Sequence, residues 1–281
     1  MKKIALLATA ILTVGIAPIA AQATPEDDLK AFRAYFKKRF PNTPFEEFAN
    51  GNYAKGIAPE DKRNQWLEAE EFPPYELPLE KGKTLFNTPF KNGKTYASCF
   101  KNGGKGIRQY YPYYDPKTKQ VKTLEQEINE CRVKNGEKPL KWKKGDIAAI
   151  SAYMAYTSRG KPLSIKVPND PDALAWYERG KHHFYAKRGQ LNMACADCHM
   201  YNAGNRIRAD LLSPALGHPT GFPVYRAKWG SLGTMHRRFG GCNKQVRAKP
   251  FKAQSDEYKA LEYFLNYMSN GLAVNAPSYR Q

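Results

Sequence analysis

The sequence predicts a mainly α-helical chain made of two tandem copies of one small domain behind an N-terminal extension, and three observations predict it. The segment "LPLEKGKTLFNTPFKNGKTYASCF" repeats the spacing of "AWYERGKHHFYAKRGQLNMACADCH", with Glu80, Gly82, Lys83 and Phe86 answering Glu178, Gly180, Lys181 and Phe184. Further along, "AISAYMAYTSRG" aligns with "ALEYFLNYMSNG", so that Ala149, Ile150, Tyr156, Ser158 and Gly160 match Ala260, Leu261, Tyr267, Ser269 and Gly271. Self-similarity of this kind marks a duplicated structural unit. Between the copies, Pro162, Pro168 and Pro171 in "RGKPLSIKVPNDPDA" interrupt any regular element.

Residues 1–23 open with two lysines, run through an apolar stretch and close on Ala21-Gln22-Ala23 before an acidic segment. This is the layout of a secretory signal peptide cut after Ala23, and it places the mature chain in the periplasm. No later stretch is apolar for long enough to span a bilayer. Residues 24–75 form the extension, in which "DDLKAFRAYFKKRF" has helical periodicity. The first copy occupies residues 76–165 and the second residues 166–281. Each is expected to have a helix before its cysteine motif and an amphipathic helix ending at a glycine C-cap. The formal charge of +19 suits anionic substrates and acidic protein partners. An exported chain has little nucleic acid to meet, so a nucleic-acid reading is set aside.

Five cysteines carry the chemistry. Cys195, Cys198 and His199 in "CADCH" form the C-x-x-C-H attachment site of c-type haem, in which two thiols add to the vinyl groups and the imidazole ligates iron. A redox C-x-x-C pair has no need of the following His, and a zinc site wants a second ligand pair at motif spacing. The helical repeat around this motif is that of two cytochrome c-like domains. In the first copy Tyr96 and Phe100 stand where the first Cys and the His belong. That domain is expected to lack haem and to fill the space with side chains such as Tyr110, Tyr111, Tyr113 and Tyr114, leaving one covalently bound haem c per chain. Its remaining cysteines, Cys99 and Cys131, are expected to pair in an oxidising compartment, the alternative being two separate buried thiols.

Cys242 is left over, in "RRFGGCNKQVRA". Arg237, Arg238, Lys244 and Arg247 surround it, and such cations favour a thiolate, which is both nucleophile and haem ligand. Gly240 and Gly241 are read as permitting close backbone approach. The position lies between the haem motif and the last helix, where a distal ligand belongs; Met235, His236, His218 and Met200 compete for that role, and methionine is a common choice.

From about Pro73 onward, "CFKNGGKGIRQYYPYYDP", "INECRVKNGEKPL", "DIAAISAYMAYTSRGKP", "CADCH" and "RRFGGCNKQVRA" together resemble the SoxA subunits of SoxAX cytochromes, the L-cysteine S-thiosulfotransferases of periplasmic sulfur oxidation, and in particular the single-haem type. The resemblance implies that Cys242 is the catalytic cysteine, found as a persulfide whose outer sulfur ligates the haem opposite His199, and that Arg238 binds substrate. It also implies a haem-bearing SoxX-like subunit as heterodimer partner, a SoxYZ-like carrier protein with a reactive cysteine, and a small cytochrome c as electron acceptor. Thiosulfate is a dianion, so Arg238 and Arg247 are suited to bind its sulfonate oxygens; Arg237, Lys244 and Arg247 read equally well as a solvated basic rim. A plain electron-transfer cytochrome, with Cys242 tuning the potential, and a thiosulfate dehydrogenase are the competing functions.

Overall fold

The computed structural model describes residues 23–281, so the expected leader peptide lies outside the described residues except for Ala23. Thr24 opens helix α1 (Pro25–Arg39): its hydroxyl accepts from the Asp27 backbone N–H while the Asp27 carboxylate accepts from the Thr24 backbone N–H, with Pro25 at the first helical position. The helix buries Phe32 and Phe36. Phe32 meets Phe184 and Phe264 edge-on at 6.1 and 6.4 Å, so the extension docks on the second copy. The chain then makes a 3-10 turn over Phe45–Tyr53 and helix α2 (Glu60–Glu71), whose Trp66 stacks on Tyr53 at 5.2 Å.

The first copy holds α3 (Glu76–Asn87), the hairpin β1 (Tyr113–Asp115) and β2 (Gln120–Lys122), α4 (Leu124–Lys134) and α5 (Asp146–Tyr156). The second holds α6 (Pro171–Tyr185), the short hairpin β3 (Arg206–Ile207) and β4 (Asp210–Leu211), then β5 (Val224–Arg226), β6 (Ser231–Gly233), α7 (Met235–Gln245), α8 (Asp256–Met268) and β7 (Ser278–Arg280). The chain is therefore mainly α-helical, with one three-stranded sheet ordered β6-β5-β7.

The repeated residues mark one helix crossing made twice. A Cβ on Gly82 of α3 would stand 2.0 Å from the Ala149 carbonyl oxygen of α5, and a Cβ on Gly180 of α6 would stand 2.1 Å from the Ala260 oxygen of α8. Only glycine lets those backbones touch, so each Gly/Ala pair of the sequence repeat is a contact between the two helices. The loops that follow α5 and α8 then pair with each other: Leu163 N–H donates to Leu272 O (2.9 Å) and Val274 N–H to Lys161 O (2.9 Å). The duplicated units meet along their corresponding segments.

Two details differ from expectation. Helix α5 is not amphipathic, and α8, although amphipathic in sequence, is buried well beyond its apolar face: α5 buries Ile147 to Ala152, Met154 and Ala155, and α8 buries Tyr258 to Asn266, because each has packing partners on nearly all sides. They end at Tyr156 and Met268, and Gly160 and Gly271 (φ 80° and 84°) serve the turns beyond the caps. The tyrosine run also divides. Tyr111 is buried with Phe86, Phe90 and Tyr96 in the interior of the first copy, and Tyr113 packs beside them. Tyr110 is 52% exposed, and Tyr114 belongs to the core of the second copy, its hydroxyl donating to Asp170 Oδ1 (3.0 Å). Tyr96 itself shares the space with Tyr111, stacking on Phe86 (5.9 Å) and meeting Phe90 edge-on (4.8 Å). Cys99 and Cys131 are joined by a disulfide, with their Cα atoms 5.9 Å apart. Among the described residues no helix is long and apolar enough to cross a membrane.

Candidate active site

A cavity of about 670 Å³ opens in the second copy, and Cys195, Cys198, His199, Arg238 and Cys242 all line it. Its walls are apolar where Phe184, Phe239, Leu261 and Leu265 contribute. Cys195 to His199 sit at the end of the loop that follows α6, and Asp197 accepts from the Ala194 N–H (2.7 Å) to hold the turn. The His199 ring donates from Nδ1 to the Ser213 carbonyl oxygen (2.9 Å), since a carbonyl can only accept. That bond occupies Nδ1, so Nε2 is the nitrogen through which His199 would ligate a metal.

Arg238 and Cys242 lie four residues apart on α7, and therefore on one face. Burial pushes the Cys242 thiol up, but Arg238, a hydrogen bond with His199 and the further charge of Arg226 pull it down to about 7. The two motif thiols go the other way: burial pushes Cys195 up to about 12 and raises Cys198 as well. Cations at the right place, rather than exposure, make Cys242 the acidic thiol of the three.

The other sequence candidates sort by position. Met235 lines the same cavity, and His218 packs beside His199 with ring centroids 4.3 Å apart. His236 is held off the cavity, its Nδ1 accepting from the Gln254 N–H (2.9 Å) and its Nε2 standing 3.1 Å from Glu262. Met200 borders a smaller cavity beneath α1, where the Tyr185 hydroxyl lies 3.5 Å from its sulfur. Arg237 lies over the Trp229 ring at 4.1 Å and donates to Ser231 Oγ and the Leu232 carbonyl. Arg247 and Lys244 are exposed, and neither lines the cavity. The close-approach reading of Gly240 and Gly241 is corrected: a Cβ on Gly240 would make ordinary contacts at 3.8 Å or more, and one on Gly241 would meet nothing within 4 Å.

Two further arginines escaped sequence reasoning. Arg226 on β5 and Arg280 on β7 line the cavity with Arg238. They are distant in the chain and become neighbours only when β7 adds to β5. The extension supplies part of the wall through Asn52, Tyr53 and Lys62.

The cavity fits a haem. It has the volume for a flat macrocycle, two thiols and an imidazole at attachment spacing, and an apolar wall. Arg188 also lines it, with a buried Nε that lacks any hydrogen-bond partner, a donor suited to the haem's carboxylates.

A family model described as "SoxA/TsdA, cytochrome c domain" matches residues 81–163 and 179–274, which are the two repeated units. The chain is 56% identical over 260 residues to the L-cysteine S-thiosulfotransferase subunit SoxA of Chlorobaculum tepidum, an alignment covering 92% of this chain and 89% of that one. The chain belongs to the SoxA family. To the SoxA subunit of Allochromatium vinosum it is 53% identical, over 98% of both chains. A chain of the crystal structure of SoxXA from P. pantotrophus superposes with a TM-score of 0.71 at 34% identity, covering 78% of this chain and 84% of that one. The SoxA match spans both copies, so the first copy is a cytochrome c-like unit even though it carries Tyr96 and Phe100 in place of haem-binding residues.

Proposed function

We propose that this chain is the catalytic cytochrome subunit of a periplasmic L-cysteine S-thiosulfotransferase, joining thiosulfate oxidatively to a cysteine of a SoxYZ-like carrier protein. The observation that carries this reading is the convergence of Cys242, Arg238 and His199 on one cavity. Cys195 and Cys198 would hold one haem c covalently, and His199 and Cys242 would be the groups that ligate its iron. When bound, the haem supplies a one-electron redox centre within reach of the Cys242 sulfur. The packing of Phe86, Phe90 and Tyr96 in the interior of the first copy supports the reading that this copy is haem-less.

In this scheme Arg238 binds the sulfonate oxygens by charge-assisted hydrogen bonds and points the sulfane sulfur of thiosulfate at the sulfur carried by Cys242, which is a persulfide in the working enzyme. An S–S bond forms there and two electrons are lost. They pass singly to a SoxX-like cytochrome subunit and then to a small cytochrome c. The carrier thiolate attacks the sulfane sulfur, a new S–S bond forms on the carrier, and the Cys242 sulfur leaves as an anion, as in thiol–disulfide exchange. The carrier thiol releases one proton. The apolar wall excludes water, which keeps the S–S bond from side reactions. At the cavity mouth Lys62, Arg206, Arg208 and Lys228 form a basic rim suited to an anionic substrate and an acidic carrier surface.

Product and electron counts separate this function from its rivals. With the haem-loaded chain, its partner cytochrome, carrier and thiosulfate, the expected product is carrier-bound thiosulfate with two electrons delivered to cytochrome c per conjugate. Tetrathionate as the sole product would assign a dehydrogenase, and reduction of cytochrome c without any conjugate would assign an electron carrier. The haem count is a separate check: a pyridine haemochrome assay should return one haem per chain, and a value of two would contradict the filled interior of the first copy.

A further inference from the structure

We infer that Arg226 and Arg280, an in-register pair on the sheet beside Cys242, complete with Arg238 a three-arginine site that selects doubly charged sulfur oxyanions. The inference rests on the transferase reading above and names what sets its substrate class.

Strands β5 and β7 run parallel with Arg226 opposite Arg280, and registered residues of neighbouring strands present their side chains to the same face. That face borders the cavity, where Arg238 arrives from α7. Three guanidinium groups from three separate elements thus line one cavity with Cys242. An anion held by Arg226 and Arg238 therefore shares the cavity with the nucleophile.

Each guanidinium has five N–H donors, and few are used within the protein. Arg280 donates from Nη1 to the Asn50 carbonyl (2.7 Å) and to Asn52 Oδ1 (2.8 Å). Arg226 donates from Nη2 to the Gln281 oxygen (3.3 Å). Among the described residues no other side-chain donor of this pair has a protein acceptor, and none of the three arginines is in ion-pair contact with an Asp or Glu side chain. Asp210 offsets part of the field on Arg226, and Glu70 part of that on Arg280, both from a distance. Arginine cannot shed its proton to relieve the crowding. Three positive charges in a partly buried cavity therefore favour a ligand with two negative charges over one with a single charge. The planar forks match the tripod of sulfonate oxygens.

The carboxylates of a bound haem could use the same donors, and the test separates the two. The haem-loaded chain with its partner subunit is titrated calorimetrically, without carrier, against thiosulfate and against methanesulfonate, which has the same oxygen tripod and one charge. The parental protein should prefer thiosulfate. Arg226→Gln should weaken thiosulfate roughly tenfold to a hundredfold, the loss expected of a charge-assisted hydrogen bond, and should weaken methanesulfonate less. KM should rise far more than kcat falls, while the haem spectrum and midpoint potential stay at parental values. Because Arg280 also holds Asn50 and Asn52, Arg280→Lys is the companion variant: it keeps the charge, loses the fork and should weaken thiosulfate in the same direction. Unchanged thiosulfate affinity in folded Arg226→Gln protein overturns the assignment alone. So does a displaced haem spectrum or potential at unchanged affinity, which would give the pair to the haem's carboxylates. A parental chain that binds no thiosulfate overturns the functional reading and this assignment with it.

Discussion

Replacing Cys242 with Met should leave a haem-loaded chain that no longer conjugates thiosulfate. Cys195, Cys198 and His199 are untouched, so covalent attachment and the proximal ligand persist, and the methionine thioether can still ligate iron. A thioether cannot hold a transferred sulfur atom or leave as a thiolate. Loss of a nucleophile that no neighbour replaces costs roughly a thousandfold or more in turnover, and the other two cavity thiols cannot substitute. Both would be consumed by haem attachment, and in the free chain burial raises the pKa of both. The measurement is conjugate formation on the carrier, alongside haem content and association with the partner subunit. An electron-transfer role would predict a raised potential with activity retained in altered degree. A Cys242→Met protein with normal haem content that conjugates at the parental rate would remove Cys242 from the mechanism.

The second large effect is on folding. Gly180→Val places a branched side chain where a Cβ would stand 2.1 Å from the Ala260 oxygen and 2.8 Å from Phe264 Cβ. Neither neighbour can yield, since one is helix backbone and the other is anchored in the core. Helices α6 and α8 must separate, and overpacking of this kind costs about 3 kcal/mol or more. For a domain of this size the melting temperature should fall by roughly 6–12 °C. Gly82→Val should do the same in the first copy, where the clash is with Ala149. A melting temperature within about two degrees of the parental value in either variant would mean that the duplicated crossing is not as tight as described.

These glycines also show why the fold was legible. The spacing Glu-x-Gly-Lys recurs because a backbone contact that only glycine permits recurs, and its partners Ala149 and Ala260 stand in the matching second half of the repeat. The haem motif is equally local, because attachment needs its groups within five consecutive residues. The burial of α5 and α8 on nearly all sides was not recoverable in the same way, since their outer faces are covered by elements remote in sequence such as β2, β6 and α1. The tyrosine run was similarly ambiguous: composition says that Tyr110 to Tyr114 are bulky, but a β-strand sends alternate side chains to opposite faces, and Tyr114 goes to the other copy. At the site, Arg238 was within reach of sequence reasoning because helical spacing ties it to Cys242. Arg247 sits in the same motif but past the end of α7, with left-handed backbone (φ 57°), and is exposed without lining the cavity. Arg226 and Arg280 could not be found from spacing, because strand pairing alone makes them neighbours.

The central claim is that Cys242 carries the sulfur being transferred, and the mass of the Cys242 peptide tests it most directly. The haem-loaded chain is incubated with thiosulfate and an electron acceptor but no carrier, then digested without reductant and analysed by mass spectrometry. The account predicts additional sulfur on the peptide spanning Arg238 to Arg247, lost on adding the carrier thiol and absent from Cys242→Met protein. A Cys242 peptide at its unmodified mass under turnover conditions, with conjugate accumulating when carrier is present, would contradict it.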